Sequence, residues 1–254
     1  MRFNFPRALG RVTVCRWVAV GGSLTCHRVW AVIGSTFGLT RRLLRALAMK
    51  IAGNPDYPYA DAPRLPEGDG PISPLALLGA QAPVELEIGP GRGSFLLERL
   101  ASAPDVHIFG LEIRRKWATL VDRQARARFN GRGRVFAEDA KVFLPRFEPG
   151  SISRIYVHFP DPWWKKRHEK RLIAAEDFVT QAHRLLCRAG DCFVQTDVEE
   201  RAERYEALFA AHPGFAPWGE TARVPDPDFG ARSPREKRAI EDGLPIIRLR
   251  FRRI

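Results

Sequence analysis

The residues of this chain whose types and spacing could do chemistry begin with "LEIGPGRGS", where Glu87 leads Gly89, Gly91 and Gly93 out of a short apolar run. Glycines at alternate positions let a backbone turn sharply and approach a ligand closely. The spacing is G-x-G-x-G, and Ser94 stands where a dinucleotide fingerprint carries glycine or alanine. An acid at the head of such a loop suits a cationic ligand better than a pyrophosphate, because like charges repel. A second acid, Glu112 in "FGLEIR", follows Gly89 by 23 residues. At that interval a carboxylate reaches the ribose hydroxyls of a bound nucleoside. A third acid, Asp139 in "AEDA", ends the next apolar run, where it or its neighbours can meet an adenine edge. Each acid alone reads equally as a helix N-cap or a solvated turn residue. Three at successive run ends imply a pocket for an adenosine-bearing, positively charged cofactor, which is S-adenosyl-L-methionine.

The stretch "FPDPWWKKRHEKR" supplies a different chemistry, with Asp161 between two prolines, then two tryptophans, then five Lys or Arg within seven residues. Pro160 and Pro162 restrict the backbone around Asp161 and donate no hydrogen bond. Trp163 and Trp164 offer flat surfaces on which a base can stack, and the cations, Lys165 among them, can neutralise phosphates. The bland alternative makes the tryptophans core packing and the cations a solvated helix start. His158, alternating within an apolar run, reads as a packed or hydrogen-bonded histidine rather than a catalytic one. Ser94 starts a helix and has no histidine and acid placed to form a triad.

The elements that must position these residues alternate regularly from Val84 onward. "VELEIG", "VHIFGLEI", "RVFAED", "ISRIYVHF" and "CFVQTDV" read as strands. "SFLLERLA", "KWATLVDRQARARF" and the short "KVFLPRF" read as helices between them, as do Leu172 to Leu186 at helical spacing, with Gly190 as the helix stop. Ile246 to Phe251 closes the chain as a strand. Strands alternating with helices of this length predict an α/β fold with a mainly parallel sheet covered on both faces, and a ligand at the carboxyl ends of its strands.

Length and composition agree with one globular domain plus an appendage: 254 residues, 45% hydrophobic and 28% charged. The formal charge of +12 is uneven, because residues 1–49 hold eight Arg and no acid, while the rest holds 33 basic against 29 acidic residues. Residues 1–48 are therefore set outside the fold as an Arg-rich N-terminal extension, untranslated or disordered. Its apolar runs are too short for a spanning helix. Its composition fits either an organelle transit peptide or sequence upstream of a start at Met49. Residues 49–82 form a lead-in, with six prolines and two glycines between Asn54 and Pro74. Residues 83–254 form the catalytic domain. Four cysteines make no disulfide framework and no ligand set, so reduced cytoplasmic thiols and no metal are expected.

From about Pro83 to the C-terminus the chain resembles the bacterial tRNA (guanine-N7)-methyltransferases. The resemblance is carried by "FPDPWWKKRHEKR", "LEIGPGRG", "GLEIR" and "QTDVEERAERY" in order. It implies a Rossmann-like class I methyltransferase fold with a seven-stranded sheet. The implied reaction is methyl transfer from S-adenosyl-L-methionine to N7 of guanine 46 in the tRNA variable loop. The implied cofactor contacts are Glu87, Gly89, Gly91, Glu112, Asp139 and Asp161, with Asp161 also catalytic. The implied tRNA contacts are Lys165, Asp197 and the segment Ser233, Pro234, Arg235 and Glu236. That segment departs from the family's T-x-F-E pattern in its middle residues. Two other classes stay open on the residues alone: a methyltransferase acting on another RNA, and an RNA-binding module without catalysis. No membrane partner is expected, and the sequence leaves monomer and homodimer equally open.

Overall fold

The computed structural model describes residues 59–160, 176–227 and 229–254, and the backbone of Thr13–Val20 and Ser23–Trp30. Asp161, Trp163, Trp164, Lys165 and the rest of the basic loop, with Leu172 and Ala175, lie outside the described residues. The chain divides into two compact units, Met1–Asn54 and Pro55–Ile254. In the first, β1 (Thr13–Val20) pairs antiparallel with β2 (Ser23–Trp30), so the extension that sequence leaves without elements contains a hairpin. Its Val, Thr and Trp content suits strands, and the intervening sequence Gly21-Gly22 is a hairpin-type dipeptide.

The second unit runs α1 (Pro74–Leu78), β3 (Val84–Ile88), α2 (Ser94–Ser102), β4 (Ile108–Leu111), α3 (Arg115–Phe129), β5 (Gly133–Phe136) and α4 (Ala140–Phe143). It continues with β6 (Ile152–His158), α5 (Glu176–Leu185), β7 (Leu186–Thr196), α6 (Glu199–Ala210), β8 (Phe215–Pro217), α7 (Pro234–Glu241) and β9 (Ile247–Arg253). The strands form one sheet in the order β5-β4-β3-β6-β7-β9-β8. β3 to β7 are mutually parallel, and β9 runs antiparallel between β7 and β8. The chain builds β4 and β5 on one side of β3 and then returns to place β6 on the other. The switch in strand order therefore lies between β3 and β6, where a ligand site belongs. This is the Rossmann-like, mainly parallel seven-stranded sheet expected from the sequence.

Burial explains why these runs become parallel strands. Every residue of β3 and β4 is buried, as a sheet covered on both faces requires. One core face is built from Leu86, Ile88, Ile155, Val157, Cys192 and Val194 with α5 and α6. The other carries Tyr156 and Phe193 against Phe95, Leu96, Leu100 and Val121 of α2 and α3.

One boundary differs from the periodicity. The helix expected to run to Gly190 ends at Leu185, and Leu186 already pairs with Ile152. The β6–β7 register then shifts, so that Arg154 meets Asp191, and the extra residues between carry Ala189 at φ 63°. Gly190 is not a helix stop. A Cβ there would lie 2.9 Å from the Ser153 carbonyl oxygen, so close approach to β6 demands glycine. The described part of the Pro-rich lead-in, from Tyr59 onward, is docked on the domain. The Ala137 N–H donates to the Pro63 carbonyl at 2.7 Å, Ile72 bridges Phe147, and Ala62, Leu65 and Ile72 are buried.

A ladder of buried charge crosses four strands on the α2 side. Arg99 of α2 grips Glu85 of β3 in bidentate fashion at 2.9 and 3.0 Å, and the Tyr156 hydroxyl donates to the same carboxylate at 3.0 Å. Arg154 of β6 lies 3.6 Å from Glu85 and donates to Asp191 of β7 at 2.9 Å. Arg250 of β9 closes the row on Asp191 at 2.8 Å. Three guanidinium groups thus share two carboxylates, and the Phe229 ring sits within 5.9 Å of all three. Its π face offsets the excess positive charge. Replacing Asp191 by alanine should leave Arg154 and Arg250 undercompensated and cost about 3–5 kcal/mol of stability. Urea unfolding checks this, and a loss below about 1 kcal/mol would show that the ladder is not holding the strands together.

Candidate active site

The loop from β3 to α2 takes its shape from three glycines in the left-handed region, Gly89, Gly91 and Gly93, at φ 71°, 55° and 74°. The outer two do different work. A Cβ on Gly93 would sit 2.3 Å from Val121 Cγ1, so this position lets α2 pack against α3. A Cβ on Gly89 would meet nothing within 4 Å, which leaves open space over the loop where it leaves β3.

Two buried acids stand on the adjacent strands that lead to this loop, Glu87 in β3 and Glu112 just after β4. Glu112, at the end of β4, accepts from the Gly91 N–H at 2.9 Å through Oε2, and through Oε1 from the Arg114 N–H at 2.9 Å and Arg114 Nε at 3.3 Å. It therefore shapes the glycine loop. A carboxylate has about four acceptor sites, so one remains for a ligand. Glu87 of β3 accepts from His158 Nδ1 of β6 at 3.1 Å through Oε1, while Oε2 is buried without a hydrogen-bond partner. Because a carboxylate only accepts, this contact puts the proton on Nδ1. Gln195 of β7, paired in register with His158, has a buried, unpartnered Oε1.

At the end of β5 the two acids of "AEDA" divide. Asp139 is exposed and caps α4, accepting from the Lys141 N–H at 3.0 Å. Glu138 turns inward, accepting from the Leu65 N–H at 3.1 Å and pairing with Arg64 at 3.0 Å. Burial pushes its carboxyl above the usual range. Sequence reading singled out Asp139 and included Glu138 only as one of its neighbours, although two adjacent acids at a strand end signal that one is turned in.

On the other side of the switch, Phe159 has φ 43° and donates its N–H to the Gln195 carbonyl at 2.7 Å. Arg201 donates to the Pro160 carbonyl at 2.8 Å. The backbone that leads into Asp161 is thereby fixed to β7 and α6. Two of the residues expected to contact a substrate come together here: Asp197 Oδ2 accepts from Arg235 at 2.5 and 3.2 Å. The Arg235 guanidinium also stands 5.5 Å from the centre of the Phe159 ring. Pro234 opens α7, where its missing N–H costs nothing. Ser233 Oγ caps that helix by accepting from the Glu236 N–H at 3.2 Å, and the buried Glu236 carboxylate accepts from Arg248 at 2.9 Å. Ser233 and Glu236 are thus engaged within the fold, and Arg235 faces outward. Ser94 begins α2 and donates to Glu98 at 3.0 Å.

Residues 81–249 match the family described as "Putative methyltransferase". A tRNA (guanine-N(7)-)-methyltransferase from Myxococcus xanthus is 35% identical over 179 residues, covering 69% of this chain and 86% of its own length. The corresponding enzyme from Rhodopirellula baltica is 32% identical over 190 residues, covering 72% and 70%. The chain belongs to the tRNA (guanine-N7)-methyltransferase family. Among solved structures, the 16S rRNA methyltransferase KamB shares the fold at a TM-score of 0.50 and 13% identity, over 70% of this chain and 91% of that one. The methyl donor of this tRNA (guanine-N7)-methyltransferase family member is S-adenosyl-L-methionine. The residues present fit it: an unpartnered buried carboxylate oxygen at Glu87 suits a cation, and the space over Gly89 admits a close ligand. Among the described residues no His, Cys, Asp and Glu are grouped to hold a metal, and no helix is long and apolar enough to cross a membrane.

Glu112→Ala removes a charged acceptor from this rim and frees the Gly91 N–H. A hydrogen bond to a charged group contributes about 1.5–3 kcal/mol, so S-adenosyl-L-methionine affinity should fall about ten- to a hundredfold by calorimetry. Unchanged affinity would remove Glu112 from the cofactor site.

Proposed function

We propose that this protein transfers the methyl group of S-adenosyl-L-methionine to N7 of guanine 46 in the variable loop of tRNA, in the cytoplasm. The observation that carries the reading is the buried, unpartnered Glu87 oxygen beside an open glycine loop. Its weight comes from a chain 32% to 37% identical to relatives named tRNA (guanine-N(7)-)-methyltransferases.

The cofactor supplies an electrophilic methyl group on a sulfonium. Guanine N7 has a free lone pair, so its attack requires no proton to be taken from the nucleophile. No general base is needed. The chain's own work is to hold the two reactants in line and to oppose the positive charge that moves onto the guanine ring. Glu87, Gly89, Gly91 and Glu112 are assigned to the cofactor, with Asp139 at its adenine end. Asp161, next in the chain after Pro160, is assigned to accept hydrogen bonds from guanine N1 and N2 while its charge opposes the charge on the ring. Lys165 and Arg235 are assigned to phosphates, and Asp197 and the turn at Ser233, Pro234 and Glu236 to placing the tRNA.

Incubation with labelled cofactor and tRNA transcripts, followed by mapping of the modified base, tests the reading. One methyl group per tRNA is expected at guanine 46, and none when adenine replaces it. Methylation at another guanine overturns the position, and methylation of ribosomal RNA alone overturns the substrate. Asp161→Asn keeps the shape and removes the charge. Single-turnover methylation should fall about 10²–10³-fold, the size seen when one preorganised electrostatic group is lost, with a smaller change in cofactor affinity. A rate near wild type would exclude this role for Asp161.

A further inference from the structure

Glu87 and His158 stand on adjacent strands, β3 and β6, with side chains only 3% and 5% exposed. The imidazole is held by three aromatic rings: Phe95 at 4.2 Å between centroids, Tyr156 stacked at 5.7 Å, and Phe193 at 5.9 Å. Such packing fixes the plane of the ring, and the hydrogen bond to Glu87 Oε1 uses its Nδ1. Tyr156, which pairs in register with Glu87, donates its hydroxyl to Glu85. Glu87 is therefore a buried carboxylate with one oxygen satisfied by a rigid donor and the other, Oε2, without a partner. A buried unpaired acceptor of this kind is costly, and a donor from outside the chain would complete it.

We propose that His158 is a positioning residue: its Nδ1–H holds Glu87 Oε1 so that Oε2 presents its lone pairs to the ammonium group of bound S-adenosyl-L-methionine. The inference rests on the cofactor reading above and adds to it a residue that does not touch the ligand. The hydrogen bond from His158 leaves the Glu87 carboxylate one orientation. Without that bond the carboxylate can rotate, and the ammonium loses a prearranged acceptor. The adenosine part of the cofactor, farther along the rim at Glu112, would not sense the difference.

That contrast supplies the test. In His158→Asn the side-chain amide nitrogen falls near the position of Nδ1, whereas in His158→Gln it falls near that of Nε2. Calorimetry on the full chain should use two ligands, S-adenosyl-L-methionine and 5′-methylthioadenosine, which lacks the amino-acid portion. His158→Asn is expected to bind S-adenosyl-L-methionine within about threefold of wild type, and His158→Gln about ten- to a hundredfold more weakly. Affinity for 5′-methylthioadenosine should be the same in all three proteins. Wild-type affinity of His158→Gln for S-adenosyl-L-methionine overturns the proposal. So does an equal loss for both ligands, which would reduce His158 to packing. Glu87→Gln should give the same ligand-selective loss, and it keeps the test decisive if either histidine variant fails to fold. Because the readout is cofactor binding, a wild-type protein that binds S-adenosyl-L-methionine yet leaves tRNA unmethylated sinks the functional reading alone.

Discussion

Carboxylates inside a sheet covered on both faces have to be neutralised where they stand, and that requirement organises this molecule. Glu85 and Asp191 are each buried to within 5% of full enclosure. They draw Arg99 from α2, Arg154 from β6 and Arg250 from β9 into one row. Arg99 in turn donates to the Phe229 carbonyl at 3.0 Å, which brings the segment before α7 over the row. Replacing such a network with apolar groups is often neutral for stability, so its contribution here is better seen as register. With Arg154 opposite both Glu85 and Asp191, the β3–β6 and β6–β7 pairings are fixed despite the shift that follows Ile152.

The ladder reaches the site through strand alternation. Glu87 lies two residues beyond Glu85 on the same face, as His158 does beyond Tyr156 and Gln195 beyond Phe193. The row that is fully neutralised at Glu85 becomes, nearer the carboxyl ends, a row with unpartnered oxygens at Glu87 and Gln195. Leaving acceptors unsatisfied there is consistent with a cationic ligand completing them. The stable part of the sheet carries the incomplete part.

Across the strand switch the charged side chains differ in kind. Buried acids line the β3 and β4 ends, while Arg235 and Arg201 gather around Phe159 and Pro160, where the basic loop departs. Arg235 is held by Asp197, but its side chain is 51% exposed. An exposed pair of this type contributes about 0–1 kcal/mol, so passing Arg235 from Asp197 to an RNA phosphate would cost little.

Much of this was legible in the sequence. Alternating apolar runs determine an α/β sheet, because period-2 and period-3.6 patterns cannot exchange. The G-x-G-x-G spacing determines a loop with left-handed backbone, since few other residues adopt it. Acids at run ends mark a rim wherever the sheet is parallel. What the tertiary structure decided is which acid does what. Nothing local distinguishes Glu138 from Asp139, or shows that Glu85 is a buried charge; the partners Leu65, Arg64, Arg99 and Arg154 stand 14 to 74 positions away in the chain. The end of α5 and the role of Gly190 depended likewise on β6, which pairs with residues that periodicity alone assigns to a helix. Local sequence sets backbone preference and burial pattern, whereas the partner of a buried charge is a long-range choice made only when strands and helices meet.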